Sequence, residues 1–133
     1  MVSVWKRADK KACAIALKAA DVLQLEGILA LEFFVSDRIV YFNEMAPRPH
    51  NSFHGSIEAA HTSQFEQHIR AICNLPLGYV RFHTAFQMTN LIGGNLEDWH
   101  PYLTEKGARI HLYGKQESRT GRKMGHVTKL LKK

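Results

Sequence analysis

The chain has 133 residues, 45% of them hydrophobic and 23% charged, a globular composition that suits about one domain. Eighteen Lys and Arg against twelve Asp and Glu leave a formal charge of +6, which points to an anionic substrate or partner. No run approaches the ~18 uninterrupted apolar residues of a membrane span, because Lys18, Asp21, Glu26 and Glu32 break the longest apolar region. The opening MVSVWKRADKK has no apolar core of a signal peptide. Cys13 and Cys73 fall in helical patterns and lack a C-x-x-C partner, so buried thiols in a reducing cytoplasm are expected.

In chain order, Asp9 to Leu25 reads as a helix, with Ala12, Ile15, Ala16, Ala19, Val22 and Leu23 on one face, Asp9 as N-cap and Gly27 beyond the end. Ile28 to Val35 is rich in β-branched and aromatic residues and too short for a second helix. It reads as a strand, turned at Ser36-Asp37-Arg38 and answered by a return strand from Ile39 to Glu44. Pro47 and Pro49 then forbid both helix and central strand, which leaves a rigid loop. Ser63-Gln64-Phe65-Glu66 has the form of a capping box. It starts a helix that carries Phe65, Ile69, Ile72 and Cys73 on one face and stops at Asn74 and Pro76. After Gly78 the pattern shifts to short strands at Ala85–Ile92, Ala108–Tyr113 and Met124–Leu130, with a short helix expected between Asn95 and Leu103. His100, before a proline, reads as loop. The expected architecture is α+β, with one domain over residues 1–78 and a small β-rich lobe over 79–133.

Glu32 lies in the middle of the apolar strand ILALEFFV, where an ionised carboxylate is costly without a partner. With a three-residue turn at 36–38, Val35 faces Ile39 and Glu32 faces Phe42. Glu32 and Glu44 then share a face as diagonal neighbours, roughly 7–8 Å apart. Two carboxylates converging beside Asn43 suit an oxygen-liganded cation, Mg²⁺ bridged to phosphate. The alternative is an ordinary ion pair of Glu32 with Arg38 or Arg48, with Glu44 a surface acid. A one-residue change in the turn would send the two acids to opposite faces. Arg48, His50, Asn51 and Ser52 follow at once in the proline-stiffened loop. Arg suits bidentate phosphate or carboxylate contact, and His can donate or accept.

These residues carry a resemblance. Asn43-Glu44-Met45-Ala46-Pro47-Arg48-Pro49-His50-Asn51-Ser52 is similar to the metal-and-substrate loop of ATP-grasp carboxyaminoimidazole ribonucleotide synthetases. TSQFEQHIRAICNLPLG (Thr62–Gly78), MTNLIG (Met88–Gly93) and HLYGKQESRTGRKMGHV (His111–Val127) match in the same order. A related ATP-grasp formyltransferase shares the Pro-Arg-Pro-His core. It continues differently, so Asn51, Ser52 and the C-terminal block favour the synthetase.

The resemblance implies an ATP-dependent carboxylation of aminoimidazole ribonucleotide with bicarbonate, through carboxyphosphate, in purine biosynthesis. It implies Glu32 and Glu44 as Mg²⁺ ligands, and Asn43 with Glu44 along the ATP phosphates. Arg48 and His50 would meet the nucleotide or the carboxyphosphate as catalytic and substrate contacts, with Asn51 and Ser52 beside them. Lys115 and Arg122 would take the substrate's 5′-phosphate, converging with the Arg48–His50 loop on one anion. It further implies a homodimer in the full-length family. The part of that family that supplies the adenine pocket is not encoded here, so this chain is expected to be a fragment or to have a separate N-terminal half.

The chain departs from the family at Phe53, where glycine is usual, and at Gly55. A phenylalanine would be strained at 53 if that position needs positive φ. A second reading is a non-catalytic basic module for nucleic acid, resting on the basic Lys115–Lys133 segment. No RRM, KH or zinc-finger pattern supports it, and no nucleic-acid partner is expected. A third is a fragment that acts only in dimerisation. His50 and His54 have zinc-helix spacing, but the prolines oppose a helix there.

Overall fold

The computed structural model describes residues 2–37, 39–94 and 99–131. Helix α1 spans Val2–Val22, beginning seven residues before the expected Asp9, because nothing between 2 and 8 is a glycine or proline that would stop it. Its end is a left-handed residue, Gln24 (φ 47°). Leu25 N–H donates to Ala20 O and Gln24 N–H to Asp21 O, the paired bonds that satisfy a helix's last carbonyls. The helix packs on strands β1 (Ala30–Ser36) and β2 (Ile39–Ala46). That leaves Leu17, Val22 and Leu23 exposed.

The two strands form an antiparallel hairpin whose register corrects the sequence expectation. Ser36 pairs with Ile39 and Val35 with Val40, so the turn has two residues rather than three. Asp37 holds the positive φ (48°) that such tight turns favour. Arg38 lies outside the described residues. Pairing continues through Phe34–Tyr41 and Phe33–Phe42, then shifts, and Glu32 pairs with Glu44. Asn43 is the extra residue of a β-bulge. Continued without the bulge, the two-residue turn would set Glu32 opposite Asn43 and Glu44 on the other face. The bulge brings the carboxylates back together, directly opposite instead of diagonal. Phe33 and Phe42 meet edge to face at 6.3 Å, while Phe34, Tyr41 and Met45 stay exposed.

A 3-10 turn covers Asn51–Phe53, and α2 is a single turn, Ser56–Ala59. Helix α3 spans Gln64–Ile72 and closes as α1 does. Asn74 is left-handed (φ 51°), Leu75 N–H bonds Arg70 O, and Asn74 N–H bonds Ala71 O. Glu66 and Arg70 pair along the helix at 2.8 Å.

A separate antiparallel sheet has the order β3-β5-β4, from β3 (Ala85–Ile92), β4 (Ala108–Leu112) and β5 (Lys123–Leu131). Within the basic C-terminal segment, Lys123–Leu131 is therefore the central strand of a sheet, with Gly125 to Thr128 buried. Helix α4, His100–Thr104, falls partly in the span expected to hold a short helix and takes in His100, which the sequence reads as loop. Proline is tolerated in a first turn, whose N–H groups have no helical acceptor. The rest of the expected helix, residues 95–98, lies outside the described residues.

By contact the chain groups into two compact units, one of Met1–Phe53 with Gln64–Gly78, the other of His54–Ser63 with Tyr79–Lys133. Residues 54–63, which the sequence assigns to 1–78, join the second unit through His61 N–H to Arg81 O (2.9 Å) and His83 N–H to Ala59 O (2.9 Å). Gly55 lies so close to the Phe86 ring that a Cβ there would come within 2.2 Å of it. Both cysteines are free and exposed, against the expectation of burial, because each lies on a helix face or end left uncovered. Among the described residues no helix is long and apolar enough to cross a membrane.

Candidate functional site

In the first unit, β1 presents Glu32 and β2 presents Glu44, two like charges in directly opposed positions, an arrangement that destabilises a sheet unless a cation intervenes. Their side chains are 38% and 50% exposed, whereas His50 beside them is buried. His50 Nδ1 lies 3.4 Å from Glu32 Oε1, and Nε2 lies 3.8 Å from Glu44 Oε1. One ligand atom from each of Glu32, Glu44 and His50 falls within 4.8 Å of the other two. Asn43, the bulge residue, donates from Nδ2 to Glu32 Oε2 at 3.4 Å.

Arg48 reaches Glu44 at 4.0 Å and spends another guanidinium N–H on Pro49 O at 3.0 Å. It thus neighbours Glu44 rather than Glu32, its partner in the alternative reading, and its side chain is largely exposed. Ser52 contacts both other partners of the cleft, with Oγ 2.7 Å from Glu32 Oε1 and 2.8 Å from His50 Nδ1. Asn51 keeps its side-chain oxygen buried with no hydrogen-bond partner among the described residues. The structure therefore brings Glu32, Asn43, Glu44, Arg48, His50 and Ser52 into one neighbourhood.

Gln64 holds this cluster and was missed as a site residue, having been read only as part of a helix start. Its side chain is buried and grips the His50 backbone twice. His50 N–H donates to Oε1 at 2.8 Å, and Nε2 donates to His50 O at 2.9 Å. A loop carrying two prolines has few backbone donors of its own, and a side-chain amide can satisfy a buried N–H and C=O together. Nothing local in the sequence marks a contact across fourteen residues.

Phe53 closes the 3-10 turn. Positive φ occurs among the described non-glycine residues only at Gln24, Asp37 and Asn74, so the substitution for the family's glycine carries no backbone strain.

Lys115 and Arg122 belong to the second unit, on the loop between β4 and β5. That loop folds onto the end of β3, with Gly93 N–H to Arg122 O at 2.7 Å and Gly94 N–H to Ser118 Oγ at 3.2 Å. Lys115 Nζ donates to Lys123 O at 2.6 Å and lies 5.6 Å from the Tyr113 ring centre. Arg122 donates to Glu117 O at 3.2 Å.

Beneath this loop lies a polar core. His126, 2% exposed, stacks on His111 at 4.6 Å, and its Nδ1 hydrogen-bonds with Tyr113 Oη at 2.9 Å. His54 lies 5.0 Å from the His126 ring, and His111 pairs with Glu58 at 2.5 Å. Burial pushes the His126 imidazole down to about 4, helped by His111 and His54 and opposed by Glu58. Burial also raises the Tyr113 hydroxyl.

The first unit offers two carboxylates and an imidazole around a gap, and the second offers cations on a backbone-tied loop. Acidic oxygens beside an imidazole suit a divalent cation, and Lys and Arg side chains suit phosphate. Comparison with known proteins places the chain. An ATP-grasp domain model matches residues 2–65, and a phosphoribosylaminoimidazole carboxylase C-terminal domain model matches 87–133.

The N5-carboxyaminoimidazole ribonucleotide synthase of Bacillus subtilis (strain 168) is 47% identical over 94% of this chain and 33% of its own length. That of Brucella melitensis is 51% identical over 86% of this chain and 32% of its own. A solved N5-carboxyaminoimidazole ribonucleotide synthetase in complex with ADP superimposes with a TM-score of 0.87 at 47% identity, over 94% of this chain and 34% of that one. The Aspergillus clavatus synthase in complex with ADP and 5-aminoimidazole ribonucleotide gives 0.84 at 36% identity, over 92% and 35%. The chain belongs to this family of ATP-grasp ligases and matches its C-terminal part. It spans about a third of the length of the relatives it matches.

Proposed function

We propose that this chain supplies one side of the active site of an ATP-dependent carboxylation of aminoimidazole ribonucleotide with bicarbonate. The observation that carries the reading is the bulged hairpin, which sets Glu32 opposite Glu44 beside His50. Bound Mg²⁺ would supply charge neutralisation along the ATP phosphates. Glu32 and Glu44 would hold it, with Asn43 beside Glu32. Arg48 and His50, flanked by Asn51 and Ser52, would contact the bicarbonate-derived carboxyphosphate or the aminoimidazole. Lys115 as a point charge and Arg122 as a fork suit the 5′-phosphate.

A division into an ATP-grasp part, 1–78, and a C-terminal lobe, 79–133, goes with this reading, as do a cytoplasmic setting, a homodimer and no nucleic-acid partner. Against the nucleic-acid reading, part of the basic C-terminal segment is strand β5, whose Lys129 is paired with Glu105 at 2.7 Å.

The test is ADP release dependent on aminoimidazole ribonucleotide, with Mg²⁺, ATP and bicarbonate. The chain assayed alone is expected to be inactive, and joined to the N-terminal two-thirds of the Bacillus subtilis relative it is expected to turn over. In that joined enzyme Arg122→Ala should raise the KM for the nucleotide roughly 10- to 150-fold, the equivalent of losing a charge-assisted contact of about 1.5–3 kcal/mol. Unchanged kcat and KM would place Arg122 outside the site.

A further inference from the structure

The proton count around Ser52 assigns the ring proton of a neutral His50. Ser52 Oγ lies 2.7 Å from Glu32 Oε1 and 2.8 Å from His50 Nδ1, yet a hydroxyl has one proton to give. Suppose Ser52 donates to Nδ1. Its oxygen then confronts the Glu32 carboxylate at 2.7 Å with lone pairs only. Suppose instead that Nδ1 carries the proton. Nδ1–H donates to Oγ, and Oγ–H donates to Glu32, so both short contacts become hydrogen bonds. The sacrifice is the weaker contact from Ser52 N–H to Nδ1, at 3.3 Å. The second arrangement leaves Nε2 with its lone pair, 3.8 Å from Glu44 Oε1. A ring whose far nitrogen is tied through a hydroxyl to a carboxylate is how proteins prepare a histidine to ligate a metal. Gln64 fixes the backbone from which that ring extends.

We infer that His50, through Nε2, is a third protein ligand to the cation held by Glu32 and Glu44. The cleft is then a two-carboxylate, one-imidazole site that prefers nitrogen-tolerant first-row dications such as Mn²⁺ over Mg²⁺ when no nucleotide is bound. The inference rests on the metal reading of the hairpin and reassigns His50, in the nucleotide-free protein, from substrate contact to metal ligand. Ligand atoms around a first-row dication sit roughly 3–3.5 Å apart for bonds of about 2.0–2.2 Å. The 3.8 Å between Nε2 and Glu44 Oε1, and the 4.8 Å within which one ligand atom from each of the three residues falls, therefore need only side-chain rotation of the two half-exposed glutamates. Mg²⁺ keeps oxygen ligands and its waters, whereas imidazole suits the later divalent metals. Nucleotide phosphates, as oxygen donors, would shift the balance back towards Mg²⁺.

The test uses the 133-residue chain without nucleotide, Mn²⁺ as the probe and Mg²⁺ as competitor. Pulsed EPR of the Mn²⁺-loaded chain, with histidine labelled with ¹⁵N, should show nitrogen coupled directly to the metal. Titration should show Mn²⁺ binding at least tenfold more tightly than Mg²⁺. His50→Ala should remove the nitrogen coupling and bring the two affinities within about threefold. The wild-type spectrum needs no variant, so a folding failure of His50→Ala leaves the inference open to refutation. Mn²⁺ binding without nitrogen coupling overturns it while leaving the Glu32–Glu44 metal site in place. Binding unaffected by Glu44→Gln, or no binding at all, overturns the metal reading as well.

Discussion

The two units treat their titratable groups in opposite ways. In the first, Glu32 and Glu44 stand side by side and half exposed, on a hairpin whose Phe34, Tyr41 and Phe42 are open to solvent. In the second, His126 and Thr128 are sealed inside the sheet, and His126 makes a polar contact with Tyr113. Solvated like charges facing each other do nothing for a fold and are tolerated where a ligand needs them. A buried imidazole set against a hydroxyl and stacked on a second ring specifies a packing. The half-exposed acids thus mark the first unit as the one open to a ligand, while in the second the polar core lies in the sheet from which the loop that bears Lys115 and Arg122 extends.

The largest effect expected from breaking this contrast comes from Gln64, the buried group of the open unit. Gln64→Ala removes both bonds to the His50 backbone and strands a buried N–H and C=O. A loss of about 2–4 kcal/mol is expected, with each stranded group costing roughly 1–3 kcal/mol and partly rehydrated. Denaturant unfolding of the chain reads it as a lower midpoint with unchanged slope. A loss below about 0.5 kcal/mol would mean that the loop holds its shape without the amide.

Next in size is the pH response of the closed unit. His126 titrates at about 4 when folded and near its ordinary 6.5 when unfolded. Above 6.5 it is neutral in both states and the folded chain keeps its full stability. Between 6.5 and 4 the unfolded chain takes up a proton that the folded chain refuses, so stability falls as pH falls through that window, then levels below it. The expected total is of order 1–3 kcal/mol. His111, His54, Glu58 and Tyr113 face the ring, and of these only Glu58 favours its protonation. His126→Asn should flatten the Tm profile over this window relative to the parent chain. An equally steep profile in the variant would assign the slope to other groups.

The same contrast explains what was legible in sequence. The hairpin, α3 and all three strands of the second sheet announce themselves through alternation, a helix-start signal and turn residues. Glu32 stands out because an acid interrupts an apolar run. Their joint geometry was not legible, because two irregularities cancel. The turn is one residue shorter than expected, and the bulge at Asn43 restores the face that the shorter turn would have lost. Neither leaves a local mark, since Asp-Arg is not a signature two-residue turn and Asn is at home in any loop. Gln64 and the His54–His111–His126 cluster depend on contacts between distant segments, which periodicity does not report. The buried cysteines were expected from helical position alone, and exposure followed from faces that nothing in the described chain covers.

The smallest effect sharpens the comparison where the units meet in sequence, at two neighbouring departures from the family loop. Gly55, on the closed side, has no room for a Cβ beneath the Phe86 ring. Phe53, on the open side, ends a 3-10 turn with ordinary backbone angles and is 51% exposed. Returning position 53 to glycine therefore relieves no strain. It adds freedom to the unfolded chain, which costs about 0.5–1 kcal/mol where the native conformation is open to any residue. Phe53→Gly should lower the denaturant midpoint by that small amount and leave the Mn²⁺ affinity of the chain unchanged, because the metal-facing atoms belong to Glu32, Glu44 and His50. A gain in stability would show that the glycine relieves a conflict at 53, and a change in affinity would show that the ring of Phe53 shapes the cleft. Either result would move Phe53 into the working site, against its place outside the cluster of Glu32, Glu44 and His50.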